Sequence, residues 1–85
     1  MYEICFKQQV EKDLRHIDRK YAAAIVVKIK TLGKNPFPKN SRKLAGTEMS
    51  YRLRVGDYRI IYQVDVRHKL ITIFYVRHRK DAYKQ

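Results

Sequence analysis

One cysteine, two prolines, three glycines and no tryptophan occur among the 85 residues of this chain, and only eight residues are acidic. A lone Cys5 can neither close an intramolecular disulfide nor build a thiolate zinc site, which excludes a disulfide scaffold and points to a reducing, cytoplasmic setting. The start, Met1-Tyr-Glu-Ile-Cys-Phe-Lys-Gln8, is too polar for a signal peptide, and no apolar run approaches membrane-spanning length. The chain is therefore expected to be soluble and cytoplasmic. No His, Cys, Asp or Glu cluster has metal-ligand spacing and no glycine loop is built for phosphate, so neither metal nor cofactor is expected. Linkers, repeats and low-complexity tracts are also missing, so residues 1–85 are expected to form a single domain, small enough to gain from a stabilising partner.

What is present in excess is positive charge: 20 Lys and Arg against eight Asp and Glu, a net charge of +12. The excess is uneven. Residues 1–27 are nearly balanced, whereas almost all of the surplus falls in residues 28–85. Such a division suits one surface built for a polyanion, nucleic acid or a ribonucleoprotein; the bland alternative is a basic surface that serves solubility.

The hydrophobic spacing predicts the elements. Tyr2, Ile4 and Phe6 alternate as in a short strand. Val10, Leu14, Ile17 and Tyr21 then recur at helical spacing, and Asp18, a good N-cap, divides that stretch into two helices. The second runs from about Arg19 to Leu32 with Ala22, Ile25, Ile29 and Leu32 on its buried stripe; Gly33 ends it past the C-cap, and Pro36 prevents continuation. Residues 33–47 read as a basic loop carrying Lys39, Arg42 and Lys43, with Leu44 as a core anchor. From Met49 the period changes to two. Tyr51–Val55 and Tyr58–Asp65 form a hairpin around Gly56-Asp57, and Leu70–Val76 adds a third strand. The order β-α-α-β-β-β predicts an α+β fold: a mainly antiparallel four-stranded sheet with the two helices packed on one face.

The hairpin can be registered from its turn. A two-residue turn at Gly56-Asp57 pairs Val55 with Tyr58, so Arg54 faces Arg59, Leu53 faces Ile60, Arg52 faces Ile61 and Tyr51 faces Tyr62. Alternation puts Leu53, Val55, Tyr58, Ile60 and Tyr62 on the helix-covered face and Arg52, Arg54 and Arg59 on the other. Continuing the alternation places Tyr75 on the helix side, and Phe74 and Val76 with Ile61 on the arginine side. Directly opposed like charges destabilise a sheet. Three arginines on one face make sense if an anion sits between them, since the guanidinium fork matches phosphate oxygens. The competing reading is a solvated face whose arginines splay into water.

The segment Tyr51-Arg-Leu-Arg-Val-Gly-Asp-Tyr-Arg-Ile-Ile-Tyr-Gln-Val64 resembles the central hairpin of the RelE/ParE toxin superfamily, and the ending Val76-Arg-His-Arg-Lys-Asp-Ala-Tyr83 resembles that of its RelE branch. The resemblance extends over essentially the whole chain. It implies a toxin of a type II toxin–antitoxin system: an endoribonuclease that enters the ribosomal A site and cuts mRNA by metal-independent attack of a 2′-hydroxyl on the adjacent phosphate. It implies an antitoxin partner as well. By position, Arg52 and Arg54 match a basic pair, Arg59 a phosphate-contacting arginine, Arg79 a general acid or transition-state stabiliser, and Tyr83 a tyrosine that stacks on or orients a nucleotide. The basic loop residues Lys39, Arg42 and Lys43 and the tail residues Arg77 and Lys80 are expected to contact RNA.

One departure changes the chemistry. In the best-known members of the resembled family the basic pair is lysine, and one lysine is proposed as general base; arginine practically never gives up its proton at neutral pH. Arg52 and Arg54 are therefore expected to stabilise charge. His78, with a reference pKa near neutrality, becomes the candidate base, against the alternative of a strand-end histidine. His16 and His68 read as surface residues. Two rivals stand beside the ribonuclease: a ParE-like inhibitor of DNA gyrase, which would not need the set Arg59, Arg79 and Tyr83, and a non-enzymatic basic module that binds RNA or the ribosome.

Overall fold

The computed structural model describes residues 1–46 and 49–82. Its elements follow the order β1 (Glu3–Phe6), α1 (Gln8–Arg15), α2 (Arg19–Leu32), β2 (Ser41–Lys43), β3 (Ser50–Val55), β4 (Tyr58–Asp65), β5 (Leu70–His78) and a single turn of helix, α3 (Arg79–Ala82). The two N-terminal helices divide at Asp18, whose extended backbone (φ −50°, ψ 136°) leaves its carbonyl to accept the first N–H groups of α2, from Tyr21 and Ala22.

The sheet has five strands in the order β1-β5-β4-β3-β2. Three of its four pairings are antiparallel, as expected, while the expected count of four strands is corrected to five. The segment Ser41-Arg-Lys43, read as loop, pairs antiparallel with β3, and β1 pairs parallel with β5 through Glu3–Phe6 against Leu70–Ile73. Neither pairing is set by local sequence: β2 is three polar residues, and the β1–β5 contact, which sets Ile4 beside Ile71 and Phe6 beside Ile73, joins segments some 67 positions apart (Glu3 to Leu70).

The hairpin has the anticipated register, from Val55↔Tyr58 through Arg54↔Arg59 and Leu53↔Ile60 to Tyr51↔Tyr62. Gly56 takes φ +60°, and Asp57 is not among the residues with positive φ. Glycine at the first turn position matches the right-handed twist of the two strands. Gly33, by contrast, stays in the right-handed helical region (φ −59°). A side chain there would bring a Cβ within 3.3 Å of the Tyr2 carbonyl, and the Tyr2 N–H donates to the Gly33 carbonyl at 2.8 Å, so this glycine serves a close approach of β1 instead of a left-handed cap.

α1 and α2 cover one face. Val10, Ile25, Ile29 and Leu32 meet Leu53, Ile60, Tyr62, Val64, Ile71, Ile73 and Val76 in a buried core. Each such aliphatic side chain contributes about 1.5–3 kcal/mol through burial. Tyr62 is fully buried, yet its hydroxyl donates to the Pro36 carbonyl at 2.8 Å, and burial pushes its pKa up to about 12. That bond anchors the loop before β2 to the core. Tyr51 stacks on Tyr62 at 5.8 Å between ring centroids and meets Phe37 edge-on at 5.1 Å.

A bulge in β5 changes which residues face outward. Tyr62 pairs with Ile73 while Ile61 pairs with Tyr75, so Phe74 has no opposite number and the alternation slips by one. Val76 therefore enters the core, 2% exposed, opposite Ile60, and Tyr75 turns to the outer face opposite Ile61. Both placements reverse the sequence expectation, which carried a strict period of two past residue 73. Leu44 is a further correction: it lies against the outer face, beside Arg52, Ile61 and Tyr75, and not in the core.

Candidate functional site

Because paired residues share a face, the register builds the outer surface rung by rung. One rung reads Arg42, Arg52, Ile61, Tyr75 across β2, β3, β4 and β5. The next reads Arg54, Arg59, Arg77 across β3, β4 and β5. Five arginines thus occupy adjacent rungs of one face: Arg42 comes from the unanticipated strand β2, and Arg77 is delivered by the bulge, without which it would point into the helix side.

Arg42, Arg52, Arg54 and Arg59 line a groove of about 580 Å³ whose other walls are Asn40, Gly56 and Asp57. The Asn40 amide donates to the Arg54 carbonyl at 3.2 Å and fastens the approach to β2 against the hairpin. Arg54 Nε donates to the Gly56 carbonyl at 2.9 Å, bending that side chain toward the turn. Asp57 is the one carboxylate among these groove residues. Beside the groove, sharing Arg52 and Arg59 as walls, lies a smaller hollow of about 140 Å³ completed by Leu44, Ile61, Tyr75 and Arg77.

Arg77 sits at the edge of this surface. Its guanidinium lies 4.7 Å from the Tyr75 ring centroid and contacts Asp13 Oδ2 of α1 at 2.6 Å. The same Asp13 oxygen accepts the Val76 N–H at 2.9 Å, and Arg77 Nη1 donates to the Val76 carbonyl at 3.3 Å. Together the pair occupies the stretch of β5 beyond its pairing with β1, satisfying backbone groups that a sixth strand would otherwise seek.

The other residues singled out by sequence fall elsewhere. His78 pairs with Tyr58 and so belongs to the helix side. Its ring meets Tyr58 edge-on at 5.2 Å, its Nδ1 accepts the Lys80 N–H at 3.2 Å, and it lines a hollow with Asp13, His16, Ile17, Tyr58, Val76 and Arg77, whose side chain reaches round the sheet edge to Asp13. The structure does not bring it to the arginine groove, because the bulge exchanged the faces of residues 77 and 78. Arg79 opens α3, and its N–H donates to the Asp57 carbonyl at 2.7 Å, tying the tail to the hairpin turn. Lys39 is exposed before β2, Lys43 opposes Tyr51 and so points away from the arginine rungs, and Lys80 is exposed on α3. Tyr83 lies outside the described residues. Among the described residues no group of three or more His, Cys, Asp or Glu is arranged to hold a metal ion.

Sequence reasoning missed Tyr75, Asn40 and Asp57. For Tyr75 a signal existed: the apolar spacing Ile71, Ile73, Val76 breaks from two to three, the mark of one extra residue in a strand.

A family model described as the ParE toxin of the type II toxin–antitoxin system parDE matches residues 4–83. The chain is 31% identical to the toxin RelG of Mycobacterium tuberculosis, over 99% of this chain and 98% of that protein. It also superposes on a chain of the archaeal RelE–RelB complex from Pyrococcus horikoshii with a TM-score of 0.82 and 31% identity, covering 92% of this chain and 94% of that one. A chain of the RelB–RelE antitoxin–toxin complex of Methanococcus jannaschii gives a TM-score of 0.75 at 30% identity, with 94% and 95% covered.

Proposed function

The chain belongs to the RelE/ParE family of toxins from type II toxin–antitoxin systems, and from that premise we propose that it is a ribosome-dependent endoribonuclease cutting mRNA in the ribosomal A site. The observation that carries this reading is the pair of adjacent arginine rungs, Arg42–Arg52 and Arg54–Arg59, around one open groove. An RNA backbone laid along the groove would meet guanidinium forks from three strands. As the 2′-oxygen bonds to the scissile phosphorus and the P–O5′ bond breaks, leaving a 2′,3′-cyclic phosphate and a 5′-hydroxyl, charge builds on the equatorial oxygens of the phosphorane. Fixed arginines lower that barrier because they are aimed before the charge develops; one such donor is worth about 10²–10³ in rate.

None of these arginines can act as the base. The placement of His78 behind the sheet argues for a mechanism of positioning and charge, in which the 2′-hydroxyl proton passes to solvent or to a group of the ribosome. Arg77 lines the hollow beside the groove, and the Arg79 N–H ties the start of α3 to the hairpin turn. Lys39, Lys43 and Lys80 are peripheral cations that draw RNA in without touching the reacting phosphate. The partner in the free state is an acidic or amphipathic antitoxin that covers the basic surface, consistent with relatives solved as RelB–RelE complexes.

Primer extension on mRNA after induction tests the reading. Cuts confined to translated codons, lost in Arg59→Ala with folding retained, are expected. Growth arrest with intact mRNA and accumulated gyrase–DNA complexes would replace it with gyrase inhibition. Ribosome binding without cuts would replace it with a non-enzymatic module.

A further inference from the structure

The hollow next to the arginine groove has a different chemistry from the groove itself. Its floor is Ile61 and Tyr75, neighbours on one rung, and Leu44 closes one side, held there by its N–H bond to the Ser50 carbonyl at 2.9 Å. Arg52 and Arg59 stand between hollow and groove and line both. Apolar and aromatic surface thus lies immediately beside guanidinium groups, on a sheet face that the helices leave open. At about 140 Å³ the space suits one flat ring and is too small for a folded element.

We infer that Tyr75, Arg77, Ile61 and Leu44 form a nucleobase subsite, which takes the base attached to a phosphate bound by Arg52 and Arg59. The inference rests on reading the arginine face as a phosphate site and adds the group that this phosphate carries. A nucleotide joins a flat ring to a phosphate through one sugar, and adjacent apolar and cationic walls match those two ends. Bases stack on tyrosine rings and on guanidinium planes alike, and such stacking tolerates every base because each has a π-face. The arginine plane is already fixed: Asp13, only 10% exposed in its side chain, holds Arg77 at 2.6 Å and is itself held by the Val76 N–H and the Gln9 amide, both at 2.9 Å. The stack of Arg77 on Tyr75 is therefore ordered before a base arrives, which lowers the entropic cost of receiving one.

Titration of the full-length toxin with adenosine 5′-monophosphate, cytidine 5′-monophosphate and ribose 5-phosphate, followed by NMR, tests this. Both nucleotides are expected to bind about tenfold more tightly than ribose 5-phosphate and to shift the signals of Tyr75 and Ile61. Tyr75→Ala should bring that ratio close to one with ribose 5-phosphate affinity retained, and Tyr75→Phe should keep the ratio, which separates loss of the ring from loss of the fold. Equal affinity for the base-free phosphate, or a ratio unchanged in Tyr75→Ala, overturns the subsite. Nucleotide binding that depends on Tyr75 but not on Arg59 would keep the subsite and remove the phosphate reading; no binding of any probe removes both. A Tyr75→Ala effect on antitoxin affinity alone would make the hollow a protein pocket and overturn the proposal.

Discussion

On the helix side of the sheet, β3, β4 and β5 present Leu53, Ile60, Tyr62, Ile71 and Ile73, all sealed from solvent, while on the other side the same strands present Arg52, Arg54, Arg59 and Arg77 in adjacent rungs. The two faces share one backbone and follow opposite rules. The inner face lowers the free energy of folding by burial, and its polar exception, the Tyr62 hydroxyl, is satisfied by Pro36. The outer face sets like charges against each other at Arg42↔Arg52 and Arg54↔Arg59, an arrangement that opposes folding. Where a fold keeps such an arrangement, its gain is to be sought in what binds there. Substitutions on the inner face should lower stability and leave chemistry alone; those on the outer face should impair chemistry and leave stability unchanged or slightly raised.

The largest effects test that division directly. Ile25 is fully buried, and Ile25→Ala should cost about 2–5 kcal/mol of stability, read from denaturant unfolding. Cleavage per folded molecule should be unchanged. Arg59→Ala should lower single-turnover mRNA cleavage by about 10²–10³ while moving the unfolding midpoint little. If Arg59→Ala instead unfolded the protein and left residual cleavage normal, the contrast between the faces would collapse.

Tyr62 provides a pH test on the inner face alone. Its folded pKa of about 12 lies above the ordinary 10.0 because burial disfavours the phenolate. Below pH 10 both states keep the proton, so the buried tyrosine contributes fully. Between pH 10 and 12 the unfolded chain ionises while the folded one does not, and stability falls as pH rises. Tyr62→Phe should flatten that fall and remove the Pro36 bond, at about 1–3 kcal/mol near neutrality.

His78 tests how far the boundary between the faces runs. With its ring against Tyr58 on the helix side, His78→Gln should change cleavage by no more than about threefold, comparable to a single lost weak contact. A hundredfold loss would return it to the mechanism and require the tail to rearrange on the ribosome.

The hairpin shows what a sequence can carry. A tight turn at Gly56-Asp57 and strict alternation were enough to pair Arg54 with Arg59 and Leu53 with Ile60, because local chain geometry sets that register. The helices were equally legible from the spacing of Val10, Ile25, Ile29 and Leu32. Pairings decided by distant chain were not. β2 is a strand because β3 offers it an edge, and β1 lies beside β5 because α1 and α2 span the sheet between them. The bulge at Phe74 had the widest consequence: one extra residue exchanged Tyr75 with Val76 and Arg77 with His78, and so altered the candidate site more than any other feature. The arginine groove was legible where it lay on the hairpin; Arg42 and Arg77, added by long-range pairing, were expected as RNA contacts without a place.

The smallest effect is the sharpest form of the contrast. Arg42 opposes Arg52 on the edge strand, is exposed, and carries a charge that folding does not require. Arg42→Gln should therefore stabilise the free toxin by about 0.2–1 kcal/mol at low ionic strength. The gain should shrink as added salt brings the Debye length down to about 10 Å near 0.1 M, since a partly solvated pair is screened. RNA affinity should fall in the same variant, with the slope of log affinity against log salt reduced by about one. Stability and binding measured across one salt series would then move in opposite directions from a single substitution. A variant that lost both would show Arg42 to be a structural residue of β2, and the outer face would no longer stand apart from the inner one at that strand.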